Sequence, residues 1–480
     1  MIMLTIHVRI NDETGRPTPV RVRITGPNGE YYPPLGRFTE VPIGRNEMVG
    51  GNLRFGRDVW AYVDGAWEMR LPVQVPLLVE ALKGPEYEPL RQTVTLGAGQ
   101  MALRLTLKRF DHIPMNGWYS GDGRAHCLSP HDAHLEARAE GLAIVNLLAG
   151  KCEVPCLDGR NYFTIPNLNA FSGQQPIIDA SGSQIVVGTH NTHPVLGRLS
   201  LLHTHRVVHP ITFGDIEETD DWSLGDWCDQ CHRKKGLVVW THAFRSDSGL
   251  IGGEALVNLI LGKVDAIEYD ANEKQQGLLA SWYRLLNAGF RLPLIGSSGK
   301  DSNRIALGGM RTYARIPNDT SLTYSAWIEA VRAGRTFITN GPMLSLNVEG
   351  ENPIRVRAEA SSHIPFDRID IIVNGEVVGH GDSVVEIEYS MPNGGWIAAR
   401  CWGMNKSLLQ PTAPIFAHTS PLYIQPLRCD ATVQPWLRDC VERTREWITT
   451  HGNFTSNRWK DNLIGGCEAA LNKLDTLTWA

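Results

Sequence analysis

The chain has 480 residues and a net charge of −5, with 42% hydrophobic and 20% charged residues. This composition is typical of a soluble globular protein of about three domains, and it excludes a disordered chain. The charge balance argues against nucleic acid as the main partner. Because no stretch of about 18 apolar residues occurs, the sequence predicts no membrane span.

Residues 1–110 predict an N-terminal β-sandwich. Short alternating runs such as "LTIHVRI" and "VRVRITG" are separated by turn segments such as "NDETGRP" and "GPNGE". The chain begins with a strand-like alternation instead of the pattern of a signal peptide. The nine cysteines are scattered, which fits reduced thiols, so we expect a cytoplasmic protein.

Residues 111–345 alternate between apolar strands and amphipathic helices. The strands include "LAIVNLLA", "LVVWTHAF" and "VDAIEYD". Such alternation predicts a parallel sheet, and this many units predict an α/β barrel. The segment "CDQCH" matches a haem-attachment pattern, but the apolar spacing around it is that of the buried stripe of a helix. The stripe consists of Leu224, Trp227, Cys228 and Cys231.

The chain returns to β structure at residues 346–425, which predict a C-terminal β-sandwich. The segment "VNGEV" is typical of a tight hairpin turn. Residues 426–480 then predict two amphipathic helices, because their apolar residues recur at helical spacing.

Polar side chains with metal-binding chemistry follow several of the predicted central strands. In an α/β barrel the carboxyl ends of the strands meet at one mouth, where functional groups gather. Imidazole and carboxylate ligands there suit zinc, manganese or iron. The loop "SSGKDSN" could also bind an anionic oxygen through its backbone N–H groups and Lys300. The candidates at strand ends are Asp122, His126, His190, His242 and Asp301.

Segments spread over nearly the whole chain resemble the CehA/McbA-like branch of the PHP-domain metallohydrolases. They include "GWYSGD…H", "GEALVNLILGKVDAIE", "WYRLLNAGFRLPL" and "AVRAGRTFITNGP", in the family's order. The resemblance implies a distorted (β/α)7 barrel flanked by two β-sandwiches, with a metal cluster in the barrel mouth. It also implies hydrolysis of an ester-like bond: a phosphoester, a carboxyester or a carbamate.

The metal motifs depart from the family's pattern. In the opening Gly-Asp-x-His-x-His motif, Arg124 replaces the first histidine and His126 keeps the second. His190 stands where a glutamate is usual, and Arg198 stands where a histidine often follows.

The later motifs are kept in part. His242 is retained at the end of its strand, and Lys300 is retained after Gly299, which replaces the usual aspartate. Asp301 lies two positions further on. Since arginines now replace metal ligands, and a cation repels a metal ion, an intact three-metal cluster is not expected.

Two hypotheses follow. The first is a hydrolase with a single divalent ion, in which Asp122, Asp301 and Lys300 act in catalysis. Its metal ligands would be His126, His190, His242 and Asp301, and its anionic small-molecule substrate would be held by Arg124, Arg198 and Lys300.

The second hypothesis is a metal-free barrel of the same fold, a pseudoenzyme that binds an anionic small molecule or a carbohydrate. Arg124 and Arg198 would then replace the metal's positive charge. A weaker third idea, prompted by the 14 tryptophans, is that the sandwiches bind glycans.

Overall fold

The computed structural model describes residues 2–43, 49–110, 116–155, 161–215, 218–245, 250–270, 277–426 and 429–479. Within these ranges the fold is mixed α/β, with more strands than helices in several sheets. The strands are β1 (Met3–Asn11), β2 (Val20–Thr25), β3 (Asn52–Phe55), β4 (Asp58–Val63), β5 (Ala66–Pro72), β6 (Pro76–Leu82), β7 (Leu90–Thr95), β8 (Ala102–Thr106), β9 (Trp118–Ala125), β10 (Ile144–Ala149), β11 (Cys152–Pro155), β12 (Asn161–Thr164), β13 (Ile178–Ala180), β14 (Ser183–His193), β15 (Gly197–Leu202), β16 (Leu237–Thr241), β17 (Ala266–Asp270), β18 (Leu294–Ser297), β19 (Arg311–Arg315), β20 (Thr336–Thr339), β21 (Met343–Glu349), β22 (Ile354–Ser361), β23 (Arg368–Val373), β24 (Glu376–Gly381), β25 (Val384–Tyr389), β26 (Gly395–Lys406), β27 (Pro414–Thr419) and β28 (Leu422–Ile424). The helices are α1 (Pro130–Ala139), α2 (Leu224–His232), α3 (Gly253–Ile260), α4 (Leu278–Asn287), α5 (Tyr324–Arg332), α6 (Gln434–Thr450) and α7 (Asn457–Thr476).

The N-terminal region contains two sheets that share one apolar core. One has the order β5-β1-β8 and the other the order β3-β4-β2-β6-β7. Alternate residues of β1, namely Ile6, Val8 and Ile10, are fully buried in this core. The alternation read from the sequence therefore does mark the inward face of the strand. The expected end of this region at residue 110 adjoins residues 111–115, which lie outside the described residues.

The central strands have the hydrogen-bonded order β18-β17-β16-β15-β14-β10-β9-β19. The pairs β9/β10, β10/β14, β16/β17 and β17/β18 are parallel, as predicted. The prediction of a parallel sheet is wrong at β15, which is antiparallel to both of its neighbours, and at β19, which is antiparallel to β9. Only residues 194–196 separate β14 from β15, a length that allows a hairpin but no parallel crossover.

The chain after β18 lies beside the end of β9. Ala125 and Lys300 form a parallel bridge. The backbone N–H of His126 donates to the Lys300 carbonyl at 2.6 Å, and the N–H of Gly299 donates to the Arg124 carbonyl at 3.0 Å. These bonds bring the loop after β18 against the residues that follow β9.

The C-terminal β region continues the central sheet, in the order β19-β20-β27-β26-β23-β24. A second sheet, β21-β22-β25, packs against it around one apolar core. The expected boundary between residues 345 and 346 falls inside β21, because that strand begins at Met343. The predicted hairpin is confirmed: Asn374 and Gly375, with φ of 50° and 95°, join antiparallel β23 and β24.

The two predicted C-terminal helices are α6 and α7. Their apolar residues, including Leu437 and Leu474, belong to the same core as Trp227 and Leu259 of the central helices. The Asn453 backbone N–H, between the two helices, donates to Asp220 at 2.6 Å. In the described part of the chain, no helix combines the length and apolar content that crossing a bilayer requires.

Candidate functional site

Three histidines, two carboxylates and one arginine meet at the carboxyl ends of β9, β14, β16 and β17. The ring centroids of His126 and His190 lie 5.1 Å apart, and those of His190 and His242 lie 6.3 Å apart. The structure therefore brings together the three histidines that the sequence placed at strand ends. We call the whole set the histidine–carboxylate cluster: Arg124, His126, His190, His242, Glu268 and Asp270.

Within this cluster, His242, Glu268 and Asp270 are placed to hold a metal ion. One ligand atom from each lies within 4.8 Å of the others. Burial, helped by the nearby Arg124 charge, holds the pKa of His242 well below its usual value, so the ring keeps a lone pair for a cation. Two carboxylates supply the negative charge that a divalent ion requires. The residues present therefore fit a divalent cation.

Glu268 and Asp270 were missed by the sequence analysis. They lie two residues apart on β17, so both side chains project from the same face of that strand. β17 is paired directly with β16, which ends next to His242. The segment "AIEYD" carried this signal, because a strand buried on both sides has little reason to contain two carboxylates on one face.

The backbone at His242 is unusual. Its φ of 50° lies in the left-handed region, which residues other than glycine seldom adopt. Such conformations cost about 1–3 kcal/mol each and cluster at functional sites. The turn directs the chain away from β16 at this residue, where the imidazole meets Asp270 at 3.8 Å.

Arg124 occupies the space between the two carboxylates. Its Nε donates to Glu268 at 2.7 Å, and its Nη2 donates to Glu268 at 3.1 Å and to Asp270 at 3.3 Å. The side chain is only 5% exposed. The prediction that Arg124 binds substrate does not fit this geometry, because its donors already serve internal partners. A side chain at Gly299 would crowd this guanidinium, since a Cβ there would lie 3.1 Å from Nη2.

Arg124 offsets part of the cluster's negative charge but does not occupy every acceptor site of Glu268. Each carboxylate oxygen can accept two interactions, so Glu268, whose two oxygens each accept one bond from Arg124, retains acceptor sites. One guanidinium against two carboxylates leaves one net negative charge when the histidines are neutral. This charge balance favours one divalent ion over a cluster of ions.

The His126 and His190 rings present ring nitrogens to each other. His126 Nδ1 donates to the Leu148 carbonyl at 3.1 Å, which leaves a lone pair on Nε2. That Nε2 lies 3.3 Å from His190 Nδ1 and 3.3 Å from Arg124 Nη1. Two nitrogens bound to one tetrahedral zinc ion would be about 3.3 Å apart. The distance between His126 Nε2 and His190 Nδ1 therefore suits a cation bound by both rings. Arg124 Nη1 lies against the same His126 nitrogen, however, and competes with a cation there.

The hydrogen bonds around His190 assign its proton. The Thr241 hydroxyl donates to the Arg198 carbonyl at 3.1 Å, so its oxygen accepts from His190 Nε2, also at 3.1 Å. His190 Nδ1 is then unprotonated and faces His126. Burial, followed by the charge on His126, holds the pKa of His190 well below its usual value.

Asp122 is structural in this fold, contrary to the prediction of a catalytic role. It is fully buried, and its carboxylate accepts from the backbone N–H groups of Arg124, Ser298 and Gly308 and from the Ser298 hydroxyl. Four donors fill the four acceptor sites of a carboxylate. Burial raises the pKa of Asp122, while the Ser298 and Gly308 donors oppose that rise. No lone pair remains to take up a proton from a substrate.

Lys300 also differs from its predicted role. The loop that contains it does bind an anion, through the Ser298 backbone N–H and hydroxyl, but the anion is the internal carboxylate of Asp122. The Lys300 ammonium is fully buried, donates to the Ile305 carbonyl at 2.8 Å and lies 3.4 Å from Glu136. Because these partners are internal, Lys300 is not placed to bind a substrate or to take part in catalysis.

The remaining predicted residues lie at the edge of the cluster. Half-buried Arg198 lines a small groove beside His242, together with Arg245 and Thr241. Asp301 is half-buried and does not belong to the metal-ligand group of His242. A larger cavity of about 780 Å³ lies elsewhere, at the amino ends of β9 and β10.

The interpretation of "CDQCH" as a helix stripe is confirmed. Cys228 and Cys231 lie in α2, and both are fully buried. Burial raises the pKa of each thiol well above its usual value, so neither is poised to attack or to ligate.

Comparisons of this chain with protein-family models, with curated proteins and with solved structures gave no significant match.

Proposed function

We propose that the chain is a metal-dependent hydrolase of the PHP type that cleaves an ester-like bond in an anionic small molecule. The observation that carries the proposal is the convergence of three histidines with Glu268 and Asp270 at one end of adjacent strands. A distorted (β/α)7 barrel between two sandwiches fits the strand order β18-β17-β16-β15-β14-β10-β9 and the Ala125–Lys300 bridge between its ends. A cytoplasmic setting fits the buried thiols of Cys228, Cys231, Cys401, Cys440 and Cys467, none of which forms a disulfide.

His242, Glu268 and Asp270 would hold the ion, which replaces the predicted set of three histidines and Asp301. When bound, a zinc, manganese or iron ion supplies Lewis-acid chemistry and makes water more acidic. The chain's own contribution is to keep His242 neutral by burial and to supply two carboxylates. Arg124 fixes the rotamers of both carboxylates through its hydrogen bonds.

The His126–His190 pair is placed to relay a proton. His126 Nε2 and His190 Nδ1 face each other at 3.3 Å, and burial keeps His190 neutral. Because burial also makes His190 a weak base, a proton that reaches the pair passes on instead of staying there. Arg198 and Arg245 line the groove beside His242, where their charges favour an anionic substrate.

A hydrolysis screen tests the proposal. Chelator-treated protein, reconstituted with zinc, manganese or iron, would be offered chromogenic phosphoesters, carboxyesters and carbamates. We expect metal-dependent turnover that is lost in His242→Ala and Asp270→Asn but kept in Glu254→Gln, a buried carboxylate that caps α2 instead. Turnover that is equal with and without metal would contradict the proposal.

A metal-free barrel that binds an anion is the second candidate function. The observation that favours it is the placement of Arg124, whose guanidinium already bonds to both carboxylates. Anion binding that resists chelators and depends on Arg198 would support this alternative. Loss of binding on metal removal would support the hydrolase.

A further inference from the structure

Two cysteines meet at the edge of the histidine–carboxylate cluster. Cys127 follows β9, and Cys152 opens β11, directly after β10. Their Sγ atoms are 3.2 Å apart although 25 positions separate them in the chain. A disulfide requires about 2.05 Å between its sulfurs, so closure would need a movement of roughly 1.2 Å.

We propose that Cys127 and Cys152 are a redox modification site that closes reversibly to a disulfide. The proposal does not rest on the proposed hydrolase function. It rests on the distance between the two sulfurs and on their unequal exposure. Cys127 is half-buried and reachable from solvent, whereas Cys152 is only 8% exposed. The pair thus has an accessible first thiol and a sheltered second thiol beside it, as dithiol sites require.

Glutathione disulfide is a sufficient oxidant. The Cys127 thiolate attacks one sulfur of glutathione disulfide, which breaks that S–S bond and releases one glutathione thiolate. The Cys152 thiolate then attacks the Cys127 sulfur and displaces the second glutathione. Two protein thiols lose two protons and two electrons, and one glutathione disulfide becomes two glutathione molecules.

Closure would act on the neighbouring cluster. Cys127 adjoins His126 and has a φ of 61°, in the left-handed region, so its backbone is held in a restricted turn. Drawing the Cys127 sulfur toward β11 would also shift the adjoining His126. The His126 Nε2 atom lies only 3.3 Å from His190 Nδ1. The bond would therefore couple the redox state to the geometry of the histidine pair.

Peptide mapping of the folded full chain tests the proposal. Protein equilibrated with glutathione disulfide would be alkylated and digested with trypsin, which yields Cys127 in peptide 125–138 and Cys152 in peptide 152–160. Cys156 shares the second peptide and lies outside the described residues, so Cys152→Ser and Cys156→Ser variants are needed. Fully buried Cys228 and Cys231 are the internal control for intact folding.

We expect the two peptides to be linked, with a loss of two hydrogens in mass, in wild type and in Cys156→Ser but not in Cys152→Ser. Dithiothreitol should reverse the link, and Cys228 and Cys231 should stay reduced. Three results would overturn the proposal: no link in wild type, a link that depends on Cys156 instead of Cys152, or oxidation of Cys228 and Cys231 to the same extent.

Discussion

Two groups of buried charge adjoin each other at the carboxyl end of β9, and they differ in how their hydrogen-bonding capacity is used. Around Asp122, backbone and hydroxyl donors occupy every acceptor site of the carboxylate. In the histidine–carboxylate cluster, ring nitrogens of His126 and His190 face each other, and Glu268 keeps acceptor sites. Burial of charge is common to both groups. Unused acceptor capacity distinguishes the site that can take a ligand.

The largest expected effect comes from Arg124→Gln. Removing one partner of a buried ion pair costs about 3–5 kcal/mol, because Glu268 and Asp270 are left uncompensated. In urea unfolding with a chelator we expect a loss of that size. Added zinc should restore a large part of it, since the released carboxylates then bind the cation without competition.

Arg198→Gln is the matched control, because it removes the same charge from a half-buried residue at the groove. Its effect should be about 1 kcal/mol or less. If zinc restored nothing in Arg124→Gln, the carboxylates would not be a cation site.

Asp122→Asn should cost about 2–3 kcal/mol of stability, because an amide NH2 would face donors that now bond to an oxygen. The expected signature is a lower urea midpoint with unchanged metal content per folded molecule. Loss of metal with unchanged stability would instead place Asp122 in the functional site.

Acidification should destabilise the folded chain through His190. The pKa of His190 is well below 6.5 in the folded chain, first because of burial and then because of the His126 charge. Below pH 6.5 the unfolded chain binds a proton there that the folded chain does not, so stability falls as pH falls. Above pH 6.5 this penalty is absent.

In chelator-treated His190→Asn, the slope of stability against pH should be shallower by about 0.7 kcal/mol per pH unit at pH 6.5, and by a value that approaches about 1.4 kcal/mol per pH unit toward pH 5. Urea unfolding of both proteins across that range checks the difference. Equal slopes would mean that His190 is protonated in the folded chain.

The smallest effect is expected from Asp301→Asn. Asp301 is half-buried and lies outside the group formed by His242, Glu268 and Asp270. Stability should change by about 0.5 kcal/mol or less, and metal content should stay the same. Loss of metal here would identify Asp301 as a ligand, as the sequence predicts.

The sequence predicted the convergence of His126, His190 and His242, because strand ends of parallel units meet at one edge. It could not separate these residues from Asp122 and Lys300, which the sequence also places near strand ends. The difference lies in partners far along the chain: the Ser298 and Gly308 donors for Asp122, 176 and 186 positions away.

The antiparallel direction of β15 and the carboxylates of β17 each have a signal in the sequence. The three-residue link after β14 excludes a crossover, and the two acidic residues of "AIEYD" break an otherwise buried strand.

The most direct test of the account is metal binding by chelator-treated protein, measured by calorimetric titration with zinc and manganese and by elemental mass spectrometry. Wild type and Glu254→Gln should each bind one equivalent, and Glu268→Gln and Asp270→Asn should bind none or much less. Absence of binding in wild type, or equal binding in all four proteins, would contradict the assignment of His242, Glu268 and Asp270 as the metal site.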